Sequence, residues 1–424
     1  MDEKLKLISK YNIWNGNEID CGFKRLSYLK KIMSVSGNRL VKVLTGQRRT
    51  GKSYILRQIL MNLVNNGTDR HNILYVSKEY LDFDFLNDYT DLESLYRLYL
   101  EEFKPQGRIY LFLDEIQNII GWERFVNSHS QDFTEECEIF VTGSNSRMLS
   151  TELATLLSGR YVEIPIFTFG YNEYLNIVNQ EIGRESYRQY LMLGGLPELM
   201  NFKSDEGRNY YVASVKDTII LRDIIQRRQN IRDAQLLDDL FKYLICNASN
   251  PISIQNIVKY YKGRQRIVAY ETIANYIKYI TESYLLHPVM QYNIKGKSVA
   301  ESPYKYYAND LSYKNYLYSG IGYGLGYMLE NTVYLELRRF GYTVYAGELK
   351  NKEIDFVAVK DDRKIYIQTS LSVEDDTTRI REYESLMAIS DNYEKWVVTL
   401  DDIQMPTIEG IRHIQAWNLQ TILG

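Results

Sequence analysis

Only 3 cysteines and 4 histidines occur among 424 residues. Cys21, Cys137 and Cys246 are too scattered for a disulfide framework, and no zinc-ligand spacing is present. The cytosol is the expected compartment. Long apolar runs are missing as well. None approaches the ~18 residues of a membrane span, and Met1 to Asn15 is broken by Asp2, Glu3, Lys4, Lys6 and Lys10, so the reading is of a chain neither secreted nor membrane-embedded. There is no excess charge of one sign. With 51 Lys and Arg against 54 Asp and Glu the net is −3, which excludes nucleic-acid binding by bulk charge and requires any such contact to be a local patch. Proline is scarce at 7, and 45% of residues are hydrophobic, enough apolar mass to rule out wholesale disorder. The 38 tyrosines are spread throughout and point to no stacking motif.

The length suggests about three domains at ~150 residues each. After a helical segment at Leu26 to Met33, short apolar runs at Leu40–Leu44, Ile73–Val76, Ile109–Leu113, Ile139–Val141 and Tyr161–Ile166 alternate with amphipathic stretches. That alternation predicts a parallel sheet covered on both faces, hence an α/β domain over 1–170. From 171 to 235 helix patterns dominate, interrupted by Gly194, Gly195 and Pro197, as in a helical lid or connector. From 236 to 310 come helices and two strands, Leu285–Tyr292 and Lys305–Ala308, around a loop at Asn293–Tyr304. Ile273, Tyr276, Ile277 and Ile280 give the helix at Ala269–Tyr284 its packed face. Helices followed by a hairpin suggest a winged helix. The remainder, 311–424, mixes a helix at Tyr327–Phe340 with strands near Tyr342–Tyr345, Ile354–Val359, Lys364–Gln368 and Trp396–Thr399, a separate α/β domain.

Gly46-Gln47-Arg48-Arg49-Thr50-Gly51-Lys52-Ser53 matches GxxxxGK[ST] between a predicted strand and a predicted helix. The two glycines permit the turn whose amides cradle phosphate oxygens, and the following helix aims its positive end at the same anion. The stretch from Gly46 to Tyr54 is the candidate nucleotide-binding loop. Lys52 is expected to reach the β and γ phosphates and Ser53 to ligate Mg²⁺. The run Ile109 to Leu113 ends in Asp114 and Glu115, placed where ligands bind in open α/β sheets. Asp114 is the second candidate for Mg²⁺, and Glu115 the general base that polarises the attacking water. Ser144 and Asn145, in Val141-Thr142-Gly143-Ser144-Asn145-Ser146, are placed to sense a γ phosphate. Arg160, in Leu157-Ser158-Gly159-Arg160, is a candidate to stabilise charge on the transferring phosphoryl group, in cis or from a neighbouring subunit.

Together GQRRTGKS, LFLDE, VTGSNS and SGR followed by IPIFTFGYNEY resemble an AAA+ ATPase module. With Leu193 to Glu198 (LGGLPE) and Lys216 to Asp223 (KDTIILRD), the resemblance extends to uncharacterised prokaryotic AAA+ ATPases that end in a PD-(D/E)xK nuclease-like domain, over about Leu26 to Leu400. It implies a P-loop AAA+ core with a parallel sheet, a helical lid, a winged helix and a restriction-endonuclease-like α/β domain. ATP and Mg²⁺ are the cofactors it implies, and a site completed at a subunit boundary makes a homo-oligomer a candidate assembly.

Residues 236–310 hold nine Lys/Arg and six Asp/Glu, a local +3 against the chain's −3. Lys259, Lys262, Arg264 and Arg266 precede the helix that would enter a major groove, and Lys295 and Lys297 lie on the wing. These would neutralise backbone phosphates of DNA, with Thr272, Asn275 and Lys278 facing the bases. Packing against its own ATPase is the alternative role. In the nuclease-like reading, Glu330 and Asp355 are the carboxylates, while Gln368 replaces the second acid and Ser370 the lysine. A neutral amide binds a hard cation less well, and serine carries no positive charge, so the domain reads as a degenerate nuclease. Three functions follow: an ATPase acting on DNA, a nucleotide-gated module for another protein, and an ATP-dependent nuclease.

Overall fold

A computed structural model describes residues 1–145, 157, 159–228, 231, 233–320, 324–350 and 352–424. The chain forms two units, Met1–Ile166 and Phe167–Gly424. The first is built on a five-stranded sheet of β1 (Val41–Thr45), β2 (Ile73–Ser77), β3 (Ile109–Asp114), β4 (Cys137–Gly143) and β5 (Tyr161–Pro165), in the order β2-β3-β4-β1-β5. Every pairing is parallel. The expected α/β sheet is present: β1 to β4 are buried along almost their whole length, while the edge strand β5 exposes Glu163. Val43, Leu111 and Val141 join one core, while Leu44, Phe112 and Phe140 join the other. Among the described residues, five helices accompany the sheet: α1 (Glu3–Ile8), α2 (Leu26–Ser34), α3 (Lys52–Asn65), α4 (Tyr89–Phe103) and α5 (Trp122–Gln131). Parallel pairing brings the residues that follow β1, β3 and β4 to one edge of the sheet. Arg160 precedes β5 and lies at the opposite edge.

In the second unit, helices α6 (Tyr171–Val178), α7 (Arg184–Leu193) and α8 (Asp205–Thr218) lead into a π-helical turn at Ile219–Ile225. Then come α9 (Ala234–Cys246), α10 (Ile254–Gly263) and α11 (Tyr270–Glu282), the hairpin β6 (Leu286–Asn293) and β7 (Ser298–Ala308), and α12 (Leu325–Arg339). Strands β8 (Thr343–Leu349), β9 (Lys352–Lys360), β10 (Arg363–Ser370), β11 (Glu394–Thr399) and β12 (Ile411–Gln415) follow, with α13 (Asp376–Met387) between β10 and β11. Ile273, Tyr276, Ile277 and Ile280 are buried along α11, as their spacing requires.

The first unit ends at Ile166. Two expectations are corrected here. The division at 310 does not follow the sheet, because the hairpin and the C-terminal strands form one seven-stranded sheet, β12-β11-β10-β9-β8-β6-β7. β6 pairs in parallel with β8, Gln291 opposite Ala346; no helical segment within a sequence window announces a pairing 55 residues away. The wing loop is also much shorter than Asn293–Tyr304, since β7 already begins at Ser298. Pro303 and the polar residues before it disguise the strand. They are tolerated because β7 is an edge strand, where register shifts flank Met290 and a missing N–H need not break a ladder. β12, also at an edge, is too short and polar to be read from its sequence.

The LGGLPE motif has a packing role. A side chain at Gly195 would bring its Cβ to 2.3 Å from the Phe169 carbonyl oxygen. The Gly195 N–H donates to Asp310 Oδ2 at 2.9 Å.

Candidate functional site

The loop after β1 is shaped by glycine. Gly46 has φ +143°, and a Cβ there would lie 2.2 Å from the Ile166 carbonyl oxygen, so no side chain fits. Gly51, at φ +89°, caps α3 without a side chain. The first amides of this 14-residue helix are thus left without a side-chain cap, the arrangement that accepts an anion. Lys52 is buried and its Nζ donates to the carbonyls of Gly46 at 2.9 Å and Gln47 at 3.0 Å. It stands 3.7 Å from Glu115 Oε1.

Asp114 is held by four hydroxyls. Ser53 donates to Oδ1 at 3.0 Å and Thr142 at 2.6 Å. Tyr75 donates to Oδ2 at 2.9 Å and Ser77 at 3.4 Å. Burial, with the adjacent Glu115 charge, lifts the Asp114 carboxyl above its ordinary range, and the Thr142, Ser53 and Tyr75 hydroxyls oppose that rise. Glu115 occupies left-handed backbone at φ +50°, its N–H donating to Thr142 Oγ1 at 2.8 Å. Its Oε2 accepts from Gln117 and, at 3.3 Å, from Ser144. Asn145 is buried beside this edge.

The other loop residues are placed as follows. Thr50 Oγ1 donates to the Gln47 carbonyl at 3.0 Å, bracing the turn. Arg48 pairs with Glu79 at 3.2 Å, and Arg49 is exposed with φ +67°. Tyr54 packs where a Gly22 Cβ would come within 2.5 Å of its ring, and carries the Arg57 guanidinium at 4.2 Å. Ser146 and Ser158 lie outside the described residues.

The cis role of Arg160 is overturned. Its carbonyl accepts from Val41 N–H at 3.0 Å, at the start of β1, whereas the glycine loop follows the end of that strand. The separation is about 16 Å at ~3.3 Å per residue, beyond the reach of one arginine.

The sequence reading missed Tyr75, Ser77 and Thr142, which reach Asp114 only through strand register, Ser77 lying opposite Asp114. It also missed Gln117 and the buried Arg25, whose guanidinium donates to the Thr50 carbonyl at 2.9 Å. A hydroxyl at the end of each strand beside β3 was the available signal.

A second cluster lies in the C-terminal sheet. Glu330, Glu353, Asp355, Gln368 and Ser370 line a cavity of about 790 Å³, so the residues of the nuclease-like reading do converge. Asp355 Oδ2 accepts the Thr369 N–H and hydroxyl, both at 2.7 Å. Gln368 Oε1 accepts from Asp355 N–H at 2.7 Å, and its amide donates to Glu382 at 2.9 Å. Ser370 turns its hydroxyl to the Ser372 carbonyl. Burial and the Asp355 charge push the Glu330 carboxyl above its ordinary range, and the Lys305 ammonium and Tyr307 hydroxyl oppose that rise. The residue that sequence reasoning did not find is Lys305, from β7, 3% exposed at its side chain and 3.0 Å from Glu330 Oε1. Among the described residues no three His, Cys, Asp or Glu side chains group as ligands of one metal ion.

Among the candidate DNA contacts, Lys259, Lys262, Arg264, Asn275, Lys278, Lys295 and Lys297 are exposed and Thr272 is half-buried. The lysine pair sits on the short β6–β7 turn. Lys278 stands 3.9 Å from Glu282. Arg266 does not belong to a free basic patch, since it pairs with Asp233 at 2.7 Å and Asp239 at 2.8 Å.

Comparison with known proteins agrees with the first unit's sheet. An AAA domain matches residues 38–175, and a domain of unknown function matches 184–323. An uncharacterized protein of Haemophilus influenzae is 32% identical over 405 residues, covering 93% of this chain and 98% of that protein. One of Methanocaldococcus jannaschii is 28% identical over 396 residues, covering 88% and 86%. Among solved structures, a Walker-type ATPase of Pyrococcus abyssi is similar at TM-score 0.46 and 16% identity, covering 70% of this chain and 96% of that one. No helix among the described residues is long and apolar enough to cross a membrane.

Proposed function

We propose, for a chain that belongs to the same family as its Haemophilus influenzae relative and carries an AAA domain, that it binds ATP with Mg²⁺ and hydrolyses it at the edge following β1, β3 and β4. The observation that carries this reading is the gathering, at one sheet edge, of an uncapped helix N-terminus, Lys52, and the Asp114–Glu115 pair. The residues fit the group: only glycine is accommodated at residue 46, and the helix amides and lysine offer the donors that a triphosphate accepts. Ser53, backed by Asp114, is the residue to hold Mg²⁺. The cation would screen the charge of the phosphates.

Glu115 is the general base that takes a proton from water as the γ-phosphoryl group passes to it and ADP leaves. Gln117 and Ser144 fix one of its oxygens, leaving the other toward Lys52. Lys52 gives up its loop carbonyls for phosphate oxygens, an exchange of neutral acceptors for charged ones. Arg160 serves only from a neighbouring copy.

The α9 to α11 helices and the β6–β7 turn are the proposed DNA contact, supported by the exposed Lys259, Lys262, Arg264, Lys295 and Lys297. ATP turnover of wild type and Lys52→Ala, each with and without several forms of DNA across a salt series, tests both halves. Lys52→Ala should lose about 10²- to 10³-fold in turnover. DNA should raise wild-type turnover at low salt, with the rise vanishing as salt increases. Turnover equal in wild type and Lys52→Ala refutes the ATPase, and turnover indifferent to every DNA refutes the partner.

A further inference from the structure

The C-terminal cavity concentrates negative charge. Glu330 is buried, Asp355 is half-buried, and Glu353 stands exposed beside them on the same wall. Buried carboxylates are costly unless a counter-charge meets them, and oxygen ligands of this kind are what a hard divalent cation takes. Here the chain supplies the charge itself. Lys305 projects from β7 so that its ammonium bonds Glu330 Oε1 at 3.0 Å and also bonds Glu353. Tyr307, on the same strand and the same face, donates to the same Glu330 oxygen at 2.7 Å. Asp355 has its own donors in Thr369.

We propose that Lys305 is the resident counter-cation of the Glu330–Glu353–Asp355 cluster, performing the charge role of a divalent cation and keeping this cavity from acquiring one. Burial alone would lower the lysine, yet the Glu330, Asp355 and Glu353 charges more than reverse that and hold it protonated. The consequence is specific. The cavity is a joint that fastens the hairpin to α12 and β9, and it does not carry out metal-dependent chemistry. The inference is independent of the ATPase reading.

The test is Mn²⁺ uptake by the full chain without nucleotide, followed by electron paramagnetic resonance of free Mn²⁺. Wild type and Asp355→Asn should take up Mn²⁺ identically, because any uptake elsewhere is common to both. Lys305→Met and Lys305→Gln keep the bulk and remove the charge. Each should gain one equivalent at least ten-fold tighter than any in wild type, and Asp355→Asn placed in the same chain should abolish that gain. An equivalent in wild type that Asp355→Asn removes would overturn the proposal, as would a folded Lys305→Gln that gains nothing. Should both lysine variants fail to fold, the comparison of wild type with Asp355→Asn decides alone.

Discussion

Each unit places a buried lysine among acids at a sheet, yet the two lysines are tethered differently. Lys52 donates to two backbone carbonyls and stands 3.7 Å from one carboxylate. Lys305 is bonded directly to Glu330 and Glu353. A lysine on neutral carbonyls can exchange them for a stronger anion with little loss, whereas one bonded to the buried Glu330 carboxylate cannot leave without stranding its charge. The difference teaches that a lysine near acids is poised for a ligand in the first unit and committed to the fold in the second.

The comparison breaks if effects on turnover and on stability fall on the wrong unit. The largest expected effect is Glu115→Gln, which should lower ATP turnover by about 10²- to 10⁴-fold while leaving the melting temperature near wild type and nucleotide still bound. A large loss of stability there would erase the contrast. Next is Lys305→Met. Stranding the buried Glu330 carboxylate should cost about 3–5 kcal/mol, read by urea unfolding followed at the second unit. Per-molecule turnover of the folded fraction should hardly change, and a stability unchanged by the substitution would place Lys305 with Lys52.

The smallest of the three effects is a pH dependence that sharpens the comparison within the second unit. His287, on β6, donates Nε2–H to Asn309 at 2.8 Å between the rings of Phe167 and Tyr334. Burial lowers it to about 4. Because the folded value lies below the ordinary 6.5, the neutral ring's stability is present above pH 6.5 and is lost as pH falls toward 4. The gap corresponds to about 3 kcal/mol at most. His287→Gln should therefore flatten the loss of stability between pH 7 and pH 4.5 relative to wild type; parallel curves would show that the ring titrates alike in the folded and unfolded states.

The first unit was far more legible in the sequence than the second. Its inner strands are buried on both faces and their apolar pattern survives without partners, so β1 to β5 were placed within a few residues. The glycine loop and the acid pair were equally visible because each is contiguous. The hydroxyls of Tyr75, Ser77 and Thr142 were not, since strand register alone brings them to Asp114. In the second unit the sheet pairs β6 with β8 across α12, and Lys305 entered the sequence reading only as the first residue of a strand and one of nine basic residues over 236–310. Arg266 misled in the same way, its charge being spent on Asp233 and Asp239.

The amino-acid order alone determined the glycine loop, the twin acids, the parallel sheet that carries them, and the substitution of Gln368 and Ser370 where an acid and a lysine were expected. These are local facts, written in adjacent residues or in the periodicity of burial. Only the tertiary structure decided that Arg160 faces the wrong edge for its own site, that the hairpin is part of the C-terminal sheet, and that Lys305 brings positive charge to the acids. The physical reason is common to all three: strand direction and register fix which side chains share a space, and they are set by contacts between segments far apart in the chain.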